Sequence, residues 1–212
     1  MPRPAVHGSR AERTRGAILD AGEALFAERG FEATRLEDIA SRVGIRRASL
    51  VYYYPDKRRL YEAMLARLLG DLYARLEPAL ASDAPLAARI EAAVSAWVEF
   101  VGRRPTLARI LLREAAAAPD RRHALAAHTG PFTELVRRHV LERPEFRRAH
   151  LAEIDPVHVA STVVGATVFL VAAMPTLLPG RRHEPLGRAQ LAAHEEEMLR
   201  VVRRLLGLRT PR

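Results

Sequence analysis

Residues 34–59 read TRLEDIASRVGIRRASLVYYYPDKRR, and this stretch carries the start and stop signals of consecutive short helices. Thr34 followed by Glu37 is the pattern of a capping box, in which a hydroxyl and a carboxylate satisfy the first free amides of a helix. Gly44 can end that helix in a left-handed turn, and Pro55 can end the next one because it cannot continue a helix. The stretch therefore predicts two short helices around a glycine turn, with a longer helix directly after them.

Two short helices around a turn, braced by a longer helix, form a helix-turn-helix. The charge of residues 42–59 agrees with such a unit, because six basic residues stand there against the single acid Asp56. The second short helix also carries guanidinium and hydroxyl groups that can bind DNA phosphates or base edges. A solvated helix beside an ordinary core would carry similar charges, so charge alone leaves both interpretations open.

The remainder of the chain is helical in pattern, without strand alternation or a hairpin signal. The predicted helices are 11–29, 36–43, 47–53, 57–80, 85–102, 105–117, 131–143, 155–174 and 188–206, with a turn near 120–128. We expect an all-α chain of two domains, with an N-terminal arm and the helix-turn-helix in residues 1–60 and a helical domain in residues 61–212.

Composition excludes several classes of protein. The 212 residues include no cysteine, which excludes disulfides, iron–sulfur clusters and thiolate metal sites. No histidine pair has metal-motif spacing, and neither a glycine-rich phosphate loop nor a Gly-x-Ser-x-Gly motif is present. We therefore expect that the chain is not an enzyme and binds no cofactor or metal.

The N-terminus has no apolar run, so no secretory signal is visible and a cytoplasmic location is expected. Residues 158–180 carry no formal charge, but their strongly apolar part, 163–173, is short for a bilayer span. We expect a buried or interface helix there and no membrane partner.

The residues around the helix-turn-helix extend its pattern. The relevant segments are Ile18 to Phe31, Thr34, Ile39-Ala40, Val43-Gly44-Ile45, Ala48-Ser49-Leu50, Tyr54-Pro55 and Lys57. This order resembles the DNA-binding domain of TetR-family transcriptional regulators. The resemblance implies a homodimeric, all-helical repressor, whose C-terminal domain holds a ligand pocket and the dimer interface. The chain departs from the family at Arg46, where a capping Ser or Thr is usual, and at Val51 and Tyr53, where Tyr and His are usual.

The resemblance and the side-chain chemistry place the DNA contacts on and around the second short helix. Contacts to the DNA backbone are expected from Thr34, Tyr52, Tyr53 and Lys57. Contacts to base edges are expected from Arg46, Arg47, Ala48 and Ser49. Lys57, the only lysine of the chain, falls at the family's well-kept lysine. An arm from Arg3 to Arg13 could add contacts from outside the domain.

We expect a pocket between helices of the C-terminal domain. The candidate lining residues are Trp97, Phe100, Leu107, Leu111, Glu114, Phe132, Leu135, His139 and Phe169. Each of them is also compatible with ordinary core packing. Glu114 lies on the face of Leu107 and Leu111, where a buried carboxylate would need a partner. That partner is either a polar or cationic group of a ligand or a neighbouring arginine.

The last two long helices have apolar faces that two copies of the chain could bury in a four-helix bundle. The expected interface residues are Ala160, Val164, Thr167, Val171, Leu191, Met198, Val202 and Leu205. Burial of the same faces within one chain is the alternative.

These features predict a dimeric regulator that represses transcription and leaves its DNA when a small molecule binds. Its expected partners are double-stranded operator DNA, a second copy of the chain and an unidentified small-molecule effector. One alternative is a DNA-binding regulator without an effector, controlled by its abundance or by a protein partner. A second alternative is an all-helical enzyme or lipid-handling protein.

Overall fold

The computed structural model describes residues 10–116, 123–148, 156–178 and 187–207, and every regular element in these ranges is helical. The helices are α1 Arg10–Ala33, α2 Leu36–Val43, α3 Arg47–Tyr53, α4 Lys57–Ala81, α5 Leu86–Arg103, α6 Thr106–Ala116, α7 His123–Val136, α8 Pro144–Arg148, α9 Pro156–Ala172, α10 Met174–Leu177 and α11 Arg188–Leu205. One π-helical turn, Arg137–Leu141, follows α7 directly. The all-α prediction is confirmed.

The chain forms two compact units, of which the first ends at Arg67 and the second begins at Leu68. This division lies within α4 and later than the expected boundary at residue 60. The reason is that the first turns of α4 belong to the core of the first unit, where Leu60 and Met64 are fully buried.

The largest difference from the predicted helices lies in α7. The sequence predicts a turn near 120–128 and a new helix from residue 131, whereas α7 begins at His123 and continues through Pro131 to Val136. A proline removes one backbone donor and often breaks a helix, but here the irregularity follows later, as the π-helical turn. Part of the predicted turn falls outside the described residues.

Aromatic and aliphatic side chains of α1, α2 and α4 form the core of the first unit. Phe26 and Tyr61 meet edge to face, with their ring centroids 4.8 Å apart, and Tyr61 meets Phe31 at 5.1 Å. Gly22 lets α4 approach α1, because a β-carbon at this position would lie 2.8 Å from a methyl carbon of Leu60. The core holds the end of α1 against the start of α4.

In the second unit, α5 packs against α9 and α11, and α6 packs against α9. Gly102 lets α5 approach α11, since a β-carbon there would lie 2.7 Å from a methyl carbon of Leu191. In α9, Val163, Val168 and Val171 are buried, as expected for the uncharged stretch. Within the described ranges, no helix combines the length and the apolarity that crossing a bilayer requires.

Candidate nucleic-acid interface and ligand cavity

The turn between α2 and α3 has the geometry that Gly44 predicts. Gly44 adopts φ 75° and ψ 30°, a left-handed conformation, and its N–H donates to the carbonyls of Ala40 and Ser41. The N–H of Ile45 also donates to the Ala40 carbonyl, at 3.0 Å. Leu50 is fully buried and anchors the inner side of α3. This places α3 on the surface of the first unit with a fixed outer side.

The predicted capping box is wrong. The residue before α2 is Arg35, and no side chain caps this helix. The Thr34 hydroxyl instead donates to the Gly30 carbonyl at 2.7 Å and lies 3.3 Å from the Leu25 carbonyl. Thr34 is fully buried, so its side chain closes the end of α1 and is not available to DNA. The prediction of Thr34 as a DNA contact is corrected accordingly.

The outer side of α3 and its first flanking residue carry most of the predicted DNA contacts. The exposed residues are Arg46, Arg47, Ala48, Ser49 and Tyr52. Tyr52 is 85% exposed, an unusual position for a large aromatic ring. Tyr53 is half-buried and meets the Tyr52 ring edge to face, at 5.4 Å between centroids. The guanidinium of Arg15 lies 5.8 Å from the centre of the Tyr53 ring.

Arg47 and Glu37 form an ion pair across the turn, with Nε and Oε1 2.6 Å apart. Both side chains are more than half exposed, and exposed pairs of this kind contribute little stability. For Arg46, no carboxylate of the described residues lies within ion-pairing distance. Both guanidinium groups can therefore turn toward a polyanion at small cost.

Lys57 has a structural role that sequence reasoning missed. Its Nζ donates to the carbonyl of Phe31 at 2.8 Å and to that of Glu32 at 3.1 Å, and it lies 4.5 Å from the centre of the Phe31 ring. The lysine thus closes the end of α1 from the start of α4. No sequence signal pointed to this contact, because 26 residues separate Lys57 from Phe31. The predicted cap of α4 is confirmed, since Asp56 Oδ1 accepts from the backbone N–H of Arg59 at 2.8 Å.

The predicted N-terminal arm is only partly described. Residues 1–9 lie outside the described ranges, whereas Arg10 and Arg13 are exposed at the start of α1.

A cavity of about 150 Å³ lies within the second unit. Its walls are apolar side chains of α4, α5, α7, the π-helical turn, α8, α9 and the end of α11. The lining residues are Leu76, Leu80, Ile90, Ala93, Val94, Trp97, Phe132, Val136, Val140, Phe146, Val159, Ala160, Val163, Val164 and Leu206. No ionisable side chain is among these described residues.

Two of the nine predicted ligand residues, Trp97 and Phe132, line this cavity. The others do not: they are Phe100, Leu107, Leu111, Glu114, Leu135, His139 and Phe169. Phe100 lines a second, more polar pocket, together with Asp71 and Arg104. Leu107 is fully buried, and Phe169 is 48% exposed. A helical stripe of apolar residues indicates burial but not which of the buried positions border an empty space.

Arg89 supports one wall of the cavity and was not singled out by the sequence. It is buried, and its Nη1 donates to the carbonyls of Leu80 at 3.3 Å and His139 at 3.1 Å. These two bonds tie the end of α4 to the π-helical turn that carries Val140. A guanidinium near helix carbonyls is favourable because it compensates the negative end of the helix dipole.

The dimer interface stays a prediction, and most of the expected interface residues already have packing contacts within one chain. Thr167, Val171, Met198 and Val202 are buried. Ala160 and Val164 line the cavity, and Leu191 packs at Gly102. Of the eight predicted residues, Leu205 is the one with a large exposed fraction, 44%.

The chain resembles known proteins in sequence and in fold. The model of the family described as "Bacterial regulatory proteins, tetR family" matches residues 18–64. The transcriptional regulator RutR of Escherichia coli (strain K12) is 33% identical over 153 residues, which are 71% of this chain and 70% of RutR. The nucleoid occlusion factor SlmA of Pasteurella multocida is 32% identical over 111 residues, which are 52% of this chain and 55% of SlmA. The alignment thus spans about half the length of SlmA.

Among solved structures, the transcriptional regulator FadR from Bacillus subtilis in complex with stearoyl-CoA has a similar fold. The TM-score is 0.70 at 15% sequence identity, and the match covers 92% of this chain and 99% of FadR. At this identity the likeness is one of fold. Together with the RutR alignment and the helix-turn-helix geometry, it leads to one conclusion: the chain belongs to the tetR family of bacterial regulatory proteins, which are DNA-binding transcription regulators and not enzymes.

Proposed function

We propose that the chain is a cytoplasmic, homodimeric repressor that binds operator DNA through α3. It leaves the DNA when a small molecule occupies the cavity of the second unit. The observation that carries this proposal is a set of exposed residues on and beside α3, on the side opposite the buried Leu50. They are Arg46, Arg47, Ala48, Ser49 and Tyr52. Polar and aromatic groups that face solvent without a packing role are typical of a binding surface.

In this proposal the residues of α3 and the preceding Arg46 divide between two tasks. Arg46 and Arg47, with Ala48 and Ser49 beside them, read base edges in the major groove, where an arginine fork fits guanine. Arg47 gives up its exposed pair with Glu37 when DNA arrives. Tyr52 and Tyr53 donate hydroxyl groups to phosphates and so set the register without reading sequence.

Lys57 supplies the charge at the start of α4. An ammonium has three donors, and two of them are taken by the carbonyls of Phe31 and Glu32. The third donor and the free amides of the helix N-terminus form a phosphate seat. One lysine then serves both the fold of the first unit and its contact with DNA.

The cavity supports control by a small molecule. FadR of Bacillus subtilis, which has a similar fold, has been solved with stearoyl-CoA. The cavity described here lies in the helical unit outside the helix-turn-helix. Release of DNA requires that the ligand bind one of two states of the protein more tightly than the other.

The experiment selects bound fragments from genomic DNA and then measures affinities for the selected operator and a scrambled duplex by fluorescence anisotropy. We expect Arg47→Ala to lower the preference for the operator about tenfold, because a base-reading arginine contributes roughly 1–3 kcal/mol of discrimination. Tyr52→Ala is expected to lower the affinity for both duplexes by similar factors.

Arg109→Ala is the matched control, since it removes one positive charge from an exposed position on α6. It is expected to leave the operator preference unchanged. The proposal is rejected if no sequence is enriched, or if Arg109→Ala lowers the preference as much as Arg47→Ala does.

A further inference from the structure

We propose that Arg15 of α1 binds the DNA backbone together with Tyr53, so that α1 and the end of α3 hold one phosphate between them. This inference rests on the proposed function, because it adds a residue to the DNA-binding surface of the first unit. Three observations lead to it: the position of the Arg15 guanidinium, its exposure without an acid partner, and its contact with the Tyr53 ring.

The Arg15 guanidinium lies beside the end of α3. Its central carbon is 5.8 Å from the centre of the Tyr53 ring, which is within the range of about 6 Å for a cation–π contact. Burial raises the pKa of the neighbouring Tyr54 phenol, and the positive charge of Arg15 opposes this rise. The first turns of α1 thus bring a positive charge to the helix that carries the proposed DNA contacts.

Arg15 is exposed and has no acid partner. Among the described residues, no carboxylate lies within ion-pairing distance of its guanidinium, and no group accepts a hydrogen bond from it. Other arginines of this unit differ, because Arg29 pairs with Asp38 and Arg67 pairs with Asp20. The five N–H donors of the Arg15 guanidinium are therefore available to an anion.

Tyr53 indicates where that anion binds. In the proposed function the Tyr53 hydroxyl donates to a phosphate, and this phosphate lies just beyond the edge of the ring that Arg15 contacts. A guanidinium can donate two parallel hydrogen bonds to a phosphate, and a long arginine side chain reaches this group by rotating about its own bonds. The contact with the ring also restricts the side chain before DNA binds, which lowers the entropy cost of binding.

The salt dependence of DNA binding distinguishes this role from a purely structural one. A cation that neutralises a phosphate releases counterions, so the logarithm of the affinity falls with the logarithm of the salt concentration, with a slope of about −0.9 per contact. The test measures the fluorescence anisotropy of the selected operator and of the scrambled duplex with full-length protein, between about 50 and 200 mM salt.

Arg15→Gln is expected to lower the affinity for both duplexes by similar factors, because a phosphate contact carries no sequence information. The slope should become shallower by about 0.9 for each DNA-bound subunit. The melting temperature should stay nearly unchanged, because the side chain is exposed. Arg15→Lys, which keeps the charge, is expected to keep the slope.

Two further variants serve as controls. Tyr53→Phe keeps the ring but removes the hydroxyl, so it should lower both affinities without changing the slope. Arg29→Gln removes the same charge from the other end of α1, where Asp38 already compensates it at 3.1 Å, and should leave the slope nearly unchanged. Arg15→Gln combined with Tyr53→Phe is expected to lose less than the product of the two single losses, because either loss already loosens their common phosphate.

An unchanged slope for Arg15→Gln, a loss confined to the operator, or losses that multiply in the double variant would each overturn this inference. If Arg47→Ala lowers the operator preference while Arg15→Gln leaves the slope unchanged, the proposed function stands and this inference fails. If no operator can be selected, the proposed function fails, and the slope on the scrambled duplex still decides the role of Arg15.

Discussion

Lys57 shows how one side chain can carry more than its sequence pattern indicates. It is the only lysine of the chain, and the resemblance to tetR-family regulators predicts a phosphate contact for it. In the structure its ammonium is held by two carbonyls at the end of α1 and lies over the Phe31 ring. A structural need for a compact, multi-donor cation therefore exists even without DNA.

Lys57→Ala is expected to lower the free energy of unfolding by about 1–2 kcal/mol, because two carbonyls lose a charged donor. The melting temperature should fall by a few degrees, which thermal denaturation measures. Lys57→Arg is expected to recover only part of this loss, since a planar fork does not replace an ammonium at such a site.

Arg58→Ala is the control for Lys57→Ala, because it removes the same charge from the neighbouring position, where the exposed Arg58 side chain pairs with Glu62 at 2.9 Å. It should leave the melting temperature nearly unchanged. If Lys57→Ala behaves like Arg58→Ala, the structural role assigned to Lys57 is wrong.

At the scale of elements, α5 and α11 are joined by a two-bond ion pair. Arg203 Nε and Nη2 donate to the two carboxylate oxygens of Glu91 at 2.8 and 2.7 Å. The hydrogen bonds from Arg203 hold the pKa of Glu91 below its usual range. Most of each side chain is shielded from solvent, and bidentate pairs of this kind are among the stronger ones.

Because the pKa of Glu91 is lowered in the folded state, its stabilising contribution is present above the ordinary glutamate pKa and is lost as the pH falls through the folded-state value. We expect Glu91→Gln to be less stable than wild type at pH 7 and to show a smaller deficit at about pH 3, below the ordinary glutamate pKa. Urea denaturation at the two pH values measures this difference.

Glu99→Gln is the matched control, because Glu99 pairs with Arg103 on the exposed surface of α5. Its effect on stability should be small at both pH values. A deficit of Glu91→Gln that stays the same in acid would contradict the assignment of the pH dependence to this pair.

For the whole molecule, the outward side of α9 is the surface we propose for dimerisation. Val157, Ser161, Gly165 and Phe169 recur every fourth residue and are exposed, so they share one side of the helix. Small residues beside an exposed aromatic ring allow a second copy to approach closely. A two-fold dimer would bind a nearly palindromic operator.

Phe169→Glu is expected to convert the dimer into a monomer. Two negative charges would face each other across the symmetry axis, and the packing of the two aromatic rings would be lost. Light scattering coupled to gel filtration measures the mass. Leu112→Glu introduces the same charge at an exposed apolar position of α6 and should leave the dimer intact. A dimer that survives Phe169→Glu would exclude this face.

The sequence predicted α2, α3 and α4 well because their boundaries depend on local signals. Gly44, Pro55 and Asp56 act on backbone groups only a few residues away. The same reasoning failed for α7, which continues past Pro131 although a proline often ends a helix. It also failed at Thr34, whose hydroxyl found acceptors back along α1 in place of the amides ahead of it.

The sequence by itself determined the all-α class, the family and the row of α3 residues that faces solvent, because helix periodicity and local turns specify these features. Tertiary structure alone decided which apolar residues line the cavity, which are core, and which are left at the surface. It also decided the partners of Lys57 and Arg89, which lie 26 and 50 residues from the carbonyls they bind. The physical reason is that an apolar stripe shows which face of a helix is buried. The residues that this face contacts depend on how helices far apart in the sequence pack together.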